Sequence, residues 1–277
     1  MKERSGDTEV PEKVSREVSR LIERAMEISR LKGKRKIVML TAYDSQLARI
    51  LDEVGVDIIL VGDSVGTTVL GYGSTKLVTM EDMLHHTGAV ARGVKDALIV
   101  SDMPKGTYST PTEAIKNAQA LLKAGAQAVK IEGNKPAVVS SLIDEGIPVM
   151  GHVGLLPQTA ERYRVMGKEE AEAERIYKDA LELARSGVFS IVLECIPKKL
   201  ARKITEEVKV PTIGIGAGRF CDGQVLVVTD MLGLDERFKP KFVKRYANLS
   251  KIIREAVMKF KEEVLSGLFP DEEHTYH

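Results

Sequence analysis

Four carboxylates and a histidine stand at the downstream ends of apolar, strand-like runs. Asp63 closes VDIILVGD, Asp102 closes ALIVSD, Glu132 closes AVKIE, His152 closes IPVMGH and Glu194 closes FSIVLE. A charge placed where a buried strand stops is costly unless it is paired or used. In parallel α/β folds the carboxyl ends of the strands open on one side, and ligands bind there. Five such placements predict one shared polar pocket, and therefore an active site.

Asp63, Asp102 and Glu132 would end three neighbouring strands. Three carboxylates so close repel one another unless a cation sits among them. Oxygen-only ligands suit a hard ion such as Mg²⁺, which takes one or two carboxylates and keeps several waters. Any one of the three alone can equally cap a following loop or helix. Ser64, next to Asp63, can donate a hydrogen bond to a substrate carboxylate, although a lone serine is also an ordinary turn residue. Lys130 lies two residues before Glu132, so strand alternation puts both on one face. An ammonium in an apolar strand must reach something polar, either a ligand or one of these carboxylates.

Glu194 would lie across the barrel from this cluster. Poor solvation there raises a carboxylate's proton affinity and suits a general base. Cys195 beside it has no basic partner fixed by the local sequence, so an inert thiol is the simpler reading. His152 is expected to line the pocket as a hydrogen-bond donor. His85 and His86 read as surface or packing residues. IGIGAG (213–218) can offer backbone N–H groups to an anion, or it can simply be a tight turn.

The elements that must hold these residues alternate. Strands are expected at 36–41, 57–61, 97–101, 128–131, 148–150, 190–193, 212–215 and 223–228. Helices are expected between them, with no βαβ unit missing. Thr79 with Asp82 forms a capping-box signature, and Thr110-Pro111 with Glu113 opens the next helix. A helix over 45–53 ends at Gly55, a long loop spans 62–74, and the tail reads as helical from Pro240 to Leu268. Val14, Val18, Leu21, Ile22, Ala25 and Ile28 recur at helical spacing and predict an amphipathic helix ahead of the first strand. The pattern predicts a (β/α)₈ TIM barrel of one domain, 1–277, with a helical extension over 1–33. A doubly wound open sheet is the alternative, weakened because no Gly-x-Gly-x-x-Gly follows the first strand.

Size and composition agree. The 277 residues are 43% hydrophobic, enough for one large core, and no Pro/Gly/Ser-rich linker divides them. A net charge of +1 supplies no global field to recruit nucleic acid or an anionic membrane. No apolar run approaches the ~20 residues of a membrane span. MKERSGDTEV has no apolar core of a secretory signal, and two cysteines are too few for a disulfide scaffold. A cytoplasmic protein is expected. The 29% charged content, without Trp, is compatible with a thermophilic source.

Eight stretches, in order, resemble the ketopantoate hydroxymethyltransferase family. They are LTAYD (40–44), ILVGDSVG (59–66), VKIEG (129–133), GHVGLLPQ (151–158), VLEC (192–195), IGIGAG (213–218), DGQVLV (222–227) and the ending EEHTYH. The resemblance runs from about Lys34 to His277. It implies a barrel of the phosphoenolpyruvate/pyruvate type, Mg²⁺ dependence and a homodecamer. It also implies 3-methyl-2-oxobutanoate as substrate and 5,10-methylenetetrahydrofolate, or a related methylene pterin, as one-carbon donor. It places the metal aspartates on Asp63 and Asp102 and a metal-associated glutamate on Glu132. Keto-acid contacts fall on Asp63, Ser64, Asp102 and Lys130, and the base falls on Glu194. In that chemistry the metal stabilises the enolate formed when the C3 proton leaves, on the side away from the base. Two features depart from the family pattern: the N-terminal extension, and TAERYRVMGK after Gln158, which looks short. A 2-oxo acid lyase or mutase of the same superfamily would share the metal site, but lacks support because a Lys-Lys-Cys-Gly-His run is absent. A non-catalytic ligand-binding barrel would not need both the base and the metal set.

Overall fold

Each apolar run carries side chains for two buried faces and is bounded by turn residues, which is what a parallel strand needs. The computed structural model describes residues 12–236 and 240–277, with the backbone alone at 12–15 and 17. The runs form β1 (Ile37–Thr41), β2 (Ile58–Val61), β3 (Leu98–Asp102), β4 (Ala128–Lys130), β5 (Val149–Gly154), β6 (Ser190–Glu194), β7 (Thr212–Ile215) and β8 (Gly223–Leu226). They close a parallel barrel in chain order, as the sequence predicts.

The helices are α1 (Glu12–Ser29), α2 (Ser45–Glu53), α3 (Val65–Thr68), α4 (Met80–Ala91), α5 (Pro111–Ala124), α6 (Pro136–Asp144), α7 (Glu170–Arg185), α8 (Lys198–Glu207), α9 (Val228–Met231) and α10 (Leu249–Ser266). Local chemistry sets their starts. The Asp44 carboxylate accepts the Gln46 and Leu47 N–H groups ahead of α2, and Thr79 and Asp82 cap α4 reciprocally. Thr110 caps α5, and Gly125, in the left-handed region at φ 116°, ends it.

Four features differ from the sequence reading. β5 continues through His152 to Gly154, so His152 sits within the strand instead of closing it. The chain turns only where Gly154 takes φ 101°. Residues 216–222 join β7 to β8 without a helix, so one expected βαβ unit is missing. Gly216 and Gly218, both at positive φ, turn the chain at once, and a side chain at Gly214 would meet Cys221 Sγ at 2.9 Å. IGIGAG is thus a tight turn. The tail helix begins at Leu249, not Pro240, where the Asn248 side chain accepts the Lys251 N–H. The segment expected as a loop at 62–74 also contains α3.

The chain divides into a unit ending at Val225 and a second unit, Leu226–His277. Within the second, α10 has no buried residue. The Phe260 and Phe269 rings meet edge to face at 5.4 Å, and the Asp271 carboxylate caps the short turn through Glu272–His274.

In the first unit the core fills the barrel with Met39, Ile58, Leu60, Leu98, Val100, Ala128, Met150, Val192, Ile213 and Val225. Ala25 and Ile28 of α1 join that cluster beside Ile37 and Phe189, which lie at the amino ends of β1 and β6. Ser29 Oγ donates to the Phe189 carbonyl at 2.7 Å. Lys32 Nζ donates to the Thr205 carbonyl at 2.9 Å and pairs with Asp222 at 2.7 Å. One face of α1 therefore seals the barrel floor, opposite the carboxyl ends of the strands, while Ile22 and Met26 stay exposed. Residues 1–11 of the expected extension and the side chain of Val14 lie outside the described residues.

This seating makes a prediction. Ile28→Ala should lower the free energy of unfolding by ~2–5 kcal/mol, because it removes buried methyl groups and leaves a cavity. Met26→Ala, on the exposed face, should stay within ~0.5 kcal/mol. Urea titrations of both decide it; equal losses would mean that this face does not seat the helix.

Candidate active site

Strand register assembles the site. In the β3–β4 ladder Asp102 lies opposite Lys130, and in the β5–β6 ladder Gly154 lies opposite Glu194. Lys130 Nζ comes within 2.8 Å of Asp102 Oδ1, an ionic approach not aligned as a hydrogen bond. The other oxygen of Asp102 accepts the Asp63 backbone N–H at 3.0 Å. Lys130 Nζ also lies 3.4 Å from His152 Nδ1. Glu132 Oε1 is 3.6 Å from the same ring nitrogen. Across the ring, His152 Nε2 is 3.2 Å from Glu194 Oε2, again close but unaligned. Asp63, Asp102, Lys130, Glu132 and His152 are all buried. The structure thus brings these five residues together, all of them singled out by sequence, and reaches Glu194 through His152.

Ser64 stands at the edge of this group. Its hydroxyl shares a hydrogen bond with Tyr43 Oη at 2.8 Å. The Tyr43 carbonyl in turn pairs with His86 Nδ1 at 2.7 Å. His86 is therefore a packing residue, as expected, and His85 is exposed.

Burial dominates the electrostatics. It raises the Asp63 carboxyl to about 7, aided by the Asp102 charge and opposed by Lys130 and Gln158. Burial also pushes Glu132 well up, with Lys130 opposing and Asp63 adding to the rise. Glu194 is raised to about 7 by burial, against the pull of Lys130. Its side chain keeps 17% exposure, so it is enclosed yet open toward the barrel mouth. Burial disfavours charge on Lys130, but Asp102, Glu132 and Asp63 outweigh it and hold the ammonium above its usual range. His152 is driven well below its ordinary value, first by burial and then by Lys130, and is neutral.

The backbone at Glu194 is held from two sides. Cys195 takes φ 48°, the one non-glycine residue in the left-handed region among the described residues. Such strain persists only where neighbours fix it. Here the Cys195 N–H donates to the Ile215 carbonyl at 2.8 Å, and the Met166 N–H donates to the Cys195 carbonyl at 2.8 Å. Burial, with the Glu194 charge adding, pushes the thiol up to about 12, which leaves it inert as a nucleophile. On the other side, a Cβ on Gly154 would lie 2.2 Å from the Glu194 carbonyl oxygen and 2.8 Å from Ile196 Cγ2.

Among the described residues no three His, Cys, Asp or Glu side chains form a ready-made metal cage. Mg²⁺ does not need one, since it accepts one or two carboxylates and completes its shell with water and substrate oxygens. Asp63 and Asp102 fit that demand. Asp102 Oδ1 is buried without a hydrogen-bond partner, and each carboxylate lies in the other's repulsive field.

Two residues of the site are not singled out as site residues by sequence, although Gln158 closes the GHVGLLPQ stretch. Gln158 donates to Asp63 Oδ2 at 3.0 Å, and Tyr108 accepts the Glu132 N–H at 3.3 Å. Both sit in loops beyond strand ends, where no periodicity marks a residue as inward.

A family profile described as ketopantoate hydroxymethyltransferase matches residues 23–272. The 3-methyl-2-oxobutanoate hydroxymethyltransferase of Thermotoga maritima is 54% identical over 255 residues, covering 90% of this chain and 94% of that one. That of Syntrophus aciditrophicus is 54% identical over 248 residues, covering 87% and 91%. Among solved structures, 2,3-dimethylmalate lyase, of the PEP mutase/isocitrate lyase superfamily, superposes with a TM-score of 0.61. It is 15% identical and covers 92% of this chain and 91% of that one, a likeness of fold alone.

Gly154→Ala should separate position from chemistry at Glu194. The added methyl must displace the Glu194 carbonyl, and a shift near 1 Å at a reacting group costs on the order of 10²-fold in rate. Turnover should fall by about that factor with the Glu194 side chain intact. Wild-type turnover in a folded variant would show that the close approach does not set the position of Glu194.

Proposed function

This chain belongs to the ketopantoate hydroxymethyltransferase family, and from that premise we infer how its barrel mouth works. The protein transfers a hydroxymethyl group to 3-methyl-2-oxobutanoate, a step in pantothenate biosynthesis. We assign 5,10-methylenetetrahydrofolate, or a related methylene pterin, as donor, Mg²⁺ as cofactor and 2-dehydropantoate as product. The observation that carries the reading is the opposition of two groups. A carboxylate pair with an ammonium stands at or just beyond the carboxyl ends of β2, β3 and β4, and a lone carboxylate poised near neutrality ends β6.

Asp63 and Asp102 would hold Mg²⁺, with Glu132 reaching it through water. When bound, the ion supplies Lewis-acid polarisation of the keto group, which makes the C3 proton more acidic. Lys130 and Ser64 bind the substrate carboxylate, and His152, as a neutral donor, lines the pocket. Glu194 takes the C3 proton onto its carboxylate. Water adds to the donor's methylene carbon, whose two bonds to the pterin nitrogens break; each nitrogen keeps one of the water's protons, and the tetrahydropterin departs. The electron pair left at C3 forms the new bond to that carbon, now at the aldehyde level, and its oxygen takes the proton from Glu194 to become the hydroxyl. A lyase or mutase reading rests only on likeness of fold, and the metal set with an intact base disfavours a purely ligand-binding barrel.

Loss of C3–H in D₂O needs only Mg²⁺ and the keto acid, so it tests the base without the donor. Glu194→Gln keeps the shape and should lower C3 deuterium incorporation by ~10²–10⁴-fold. In the wild type, kcat/KM for exchange should rise with pH through about 7 and then level, because the base acts only when ionised. Exchange by the variant at the wild-type rate would move the base elsewhere, with His152 the next candidate.

We further propose that the protein works as a homo-oligomer, of the decameric kind that the resemblance implies. Exposed Ile252, Ile253, Val257, Phe260, Val264 and Leu265 on α10 support it, since an uncovered apolar helix face marks an interface. Light scattering at micromolar concentration should give a mass well above the 30.5 kDa chain, and Phe260→Asp should reduce it. A monomer would end this reading. No described helix is long and apolar enough to cross a membrane. That, with free thiols at Cys195 and Cys221, supports placing the protein in the cytoplasm.

A further inference from the structure

Gln158 ends the run LLPQ in the connection after β5, far in sequence from Asp63. Its side chain is 1% exposed, and every polar group it carries is committed. Nε2 donates one hydrogen to Asp63 Oδ2 and one to the Met103 carbonyl, each at 3.0 Å. Oε1 accepts from Tyr108 Oη at 2.5 Å. The Gln158 backbone N–H donates to Glu132 Oε2 at 3.0 Å. Tyr108 Oη closes the circuit by accepting the Glu132 backbone N–H at 3.3 Å.

The amide cannot be turned around in this setting. A backbone carbonyl and a carboxylate both only accept, so the NH₂ group must face Met103 and Asp63. The oxygen is left for Tyr108, whose own proton is free to donate because its oxygen already receives the Glu132 N–H. Directionality runs unbroken from the Glu132 backbone, through Tyr108 and Gln158, to the Asp63 carboxylate. Each end is held by one oxygen. Asp63 Oδ2 is engaged and Oδ1 is left for a ligand; Glu132 Oε2 is engaged and Oε1 faces His152.

We propose that Gln158 and Tyr108 are positioning residues that aim the carboxylates of Asp63 and Glu132 at the cation and keto acid. This rests on the reading of Asp63 as a metal ligand. Partners that orient a ligating carboxylate typically change metal affinity by ~10–100-fold when removed.

The test measures Mg²⁺ binding by calorimetry on the assembled protein, together with the Mg²⁺ dependence of C3 exchange. Gln158→Leu removes both donors and the acceptor at similar size, and should raise the Kd for Mg²⁺ by ~10–100-fold. Tyr108→Phe removes one hydroxyl and keeps the ring. It should weaken Mg²⁺ in the same direction by less, and saturating Mg²⁺ should restore its exchange rate, a change in KM without a change in kcat. A purely structural role would lower melting temperature and leave both quantities alone. Should Gln158→Leu fail to fold, Tyr108→Phe decides. Asp63→Asn separates the two readings. If it weakens Mg²⁺ while the Gln158 and Tyr108 variants bind it as the wild type does, the positioning role is overturned. If Asp63→Asn itself leaves Mg²⁺ binding unchanged, the ligand assignment is overturned, and this proposal with it.

Discussion

Four carboxylates share one buried ammonium, and the rest of the site follows from that imbalance. Asp63, Asp102, Glu132 and Glu194 converge on a region where, among the described residues, Lys130 is the single cation and His152 is neutral. Removing charge from water costs several kcal/mol per ion, and the attraction to one lysine cannot offset four such penalties. The proton affinities show the strain: Asp63 and Glu194 rise to about 7, and Glu132 rises as well. A divalent cation between Asp63 and Asp102 would relieve that side. Glu194, set apart from that side behind His152, would be left as the group still able to take a proton.

Such a site needs a scaffold that tolerates its instability. The barrel separates the two duties along its axis. Apolar side chains fill the interior, and α1 closes the amino ends of the strands with Ala25 and Ile28. The carboxyl ends are then free to carry groups that weaken the fold. Rigidity at the mouth comes from backbone geometry: the register that sets Gly154 beside Glu194, and the left-handed turn at Cys195.

Much of this was legible in the sequence. Continuous apolar runs marked seven strands within a residue or two, and β5 only at its start. Caps at Thr79 and Thr110 located two helices because their side chains bond locally. The placement of Asp63, Asp102, Lys130, Glu132 and Glu194 was legible because charge at the end of an apolar run is a strong anomaly. What failed were features without a local signature. His152 falls inside β5 because nothing before Gly154 forces a turn. The helix expected between β7 and β8 is absent because seven residues suffice to return along strands of four. Gln158 and Tyr108 were invisible as site residues because polar residues in loops are ordinary, and only tertiary contact makes them otherwise.

The ring of His152 settles where a proton can go. An ammonium has nothing but donors, and at 3.4 Å Lys130 lies nearer Nδ1 than Glu132 Oε1 does at 3.6 Å, so Nδ1 is assigned as the bare nitrogen and a neutral ring then carries its hydrogen on Nε2, toward Glu194. A protonated Glu194 therefore meets a nitrogen that is already occupied. The imidazole is no conduit inward, and the lysine behind it repels any further charge. The captured proton is left to the reacting atoms in front of Glu194 or to solvent at the exposed edge of its side chain. The competition between them, set by one tautomer, determines how faithfully the enzyme would remember the hydrogen that it removes.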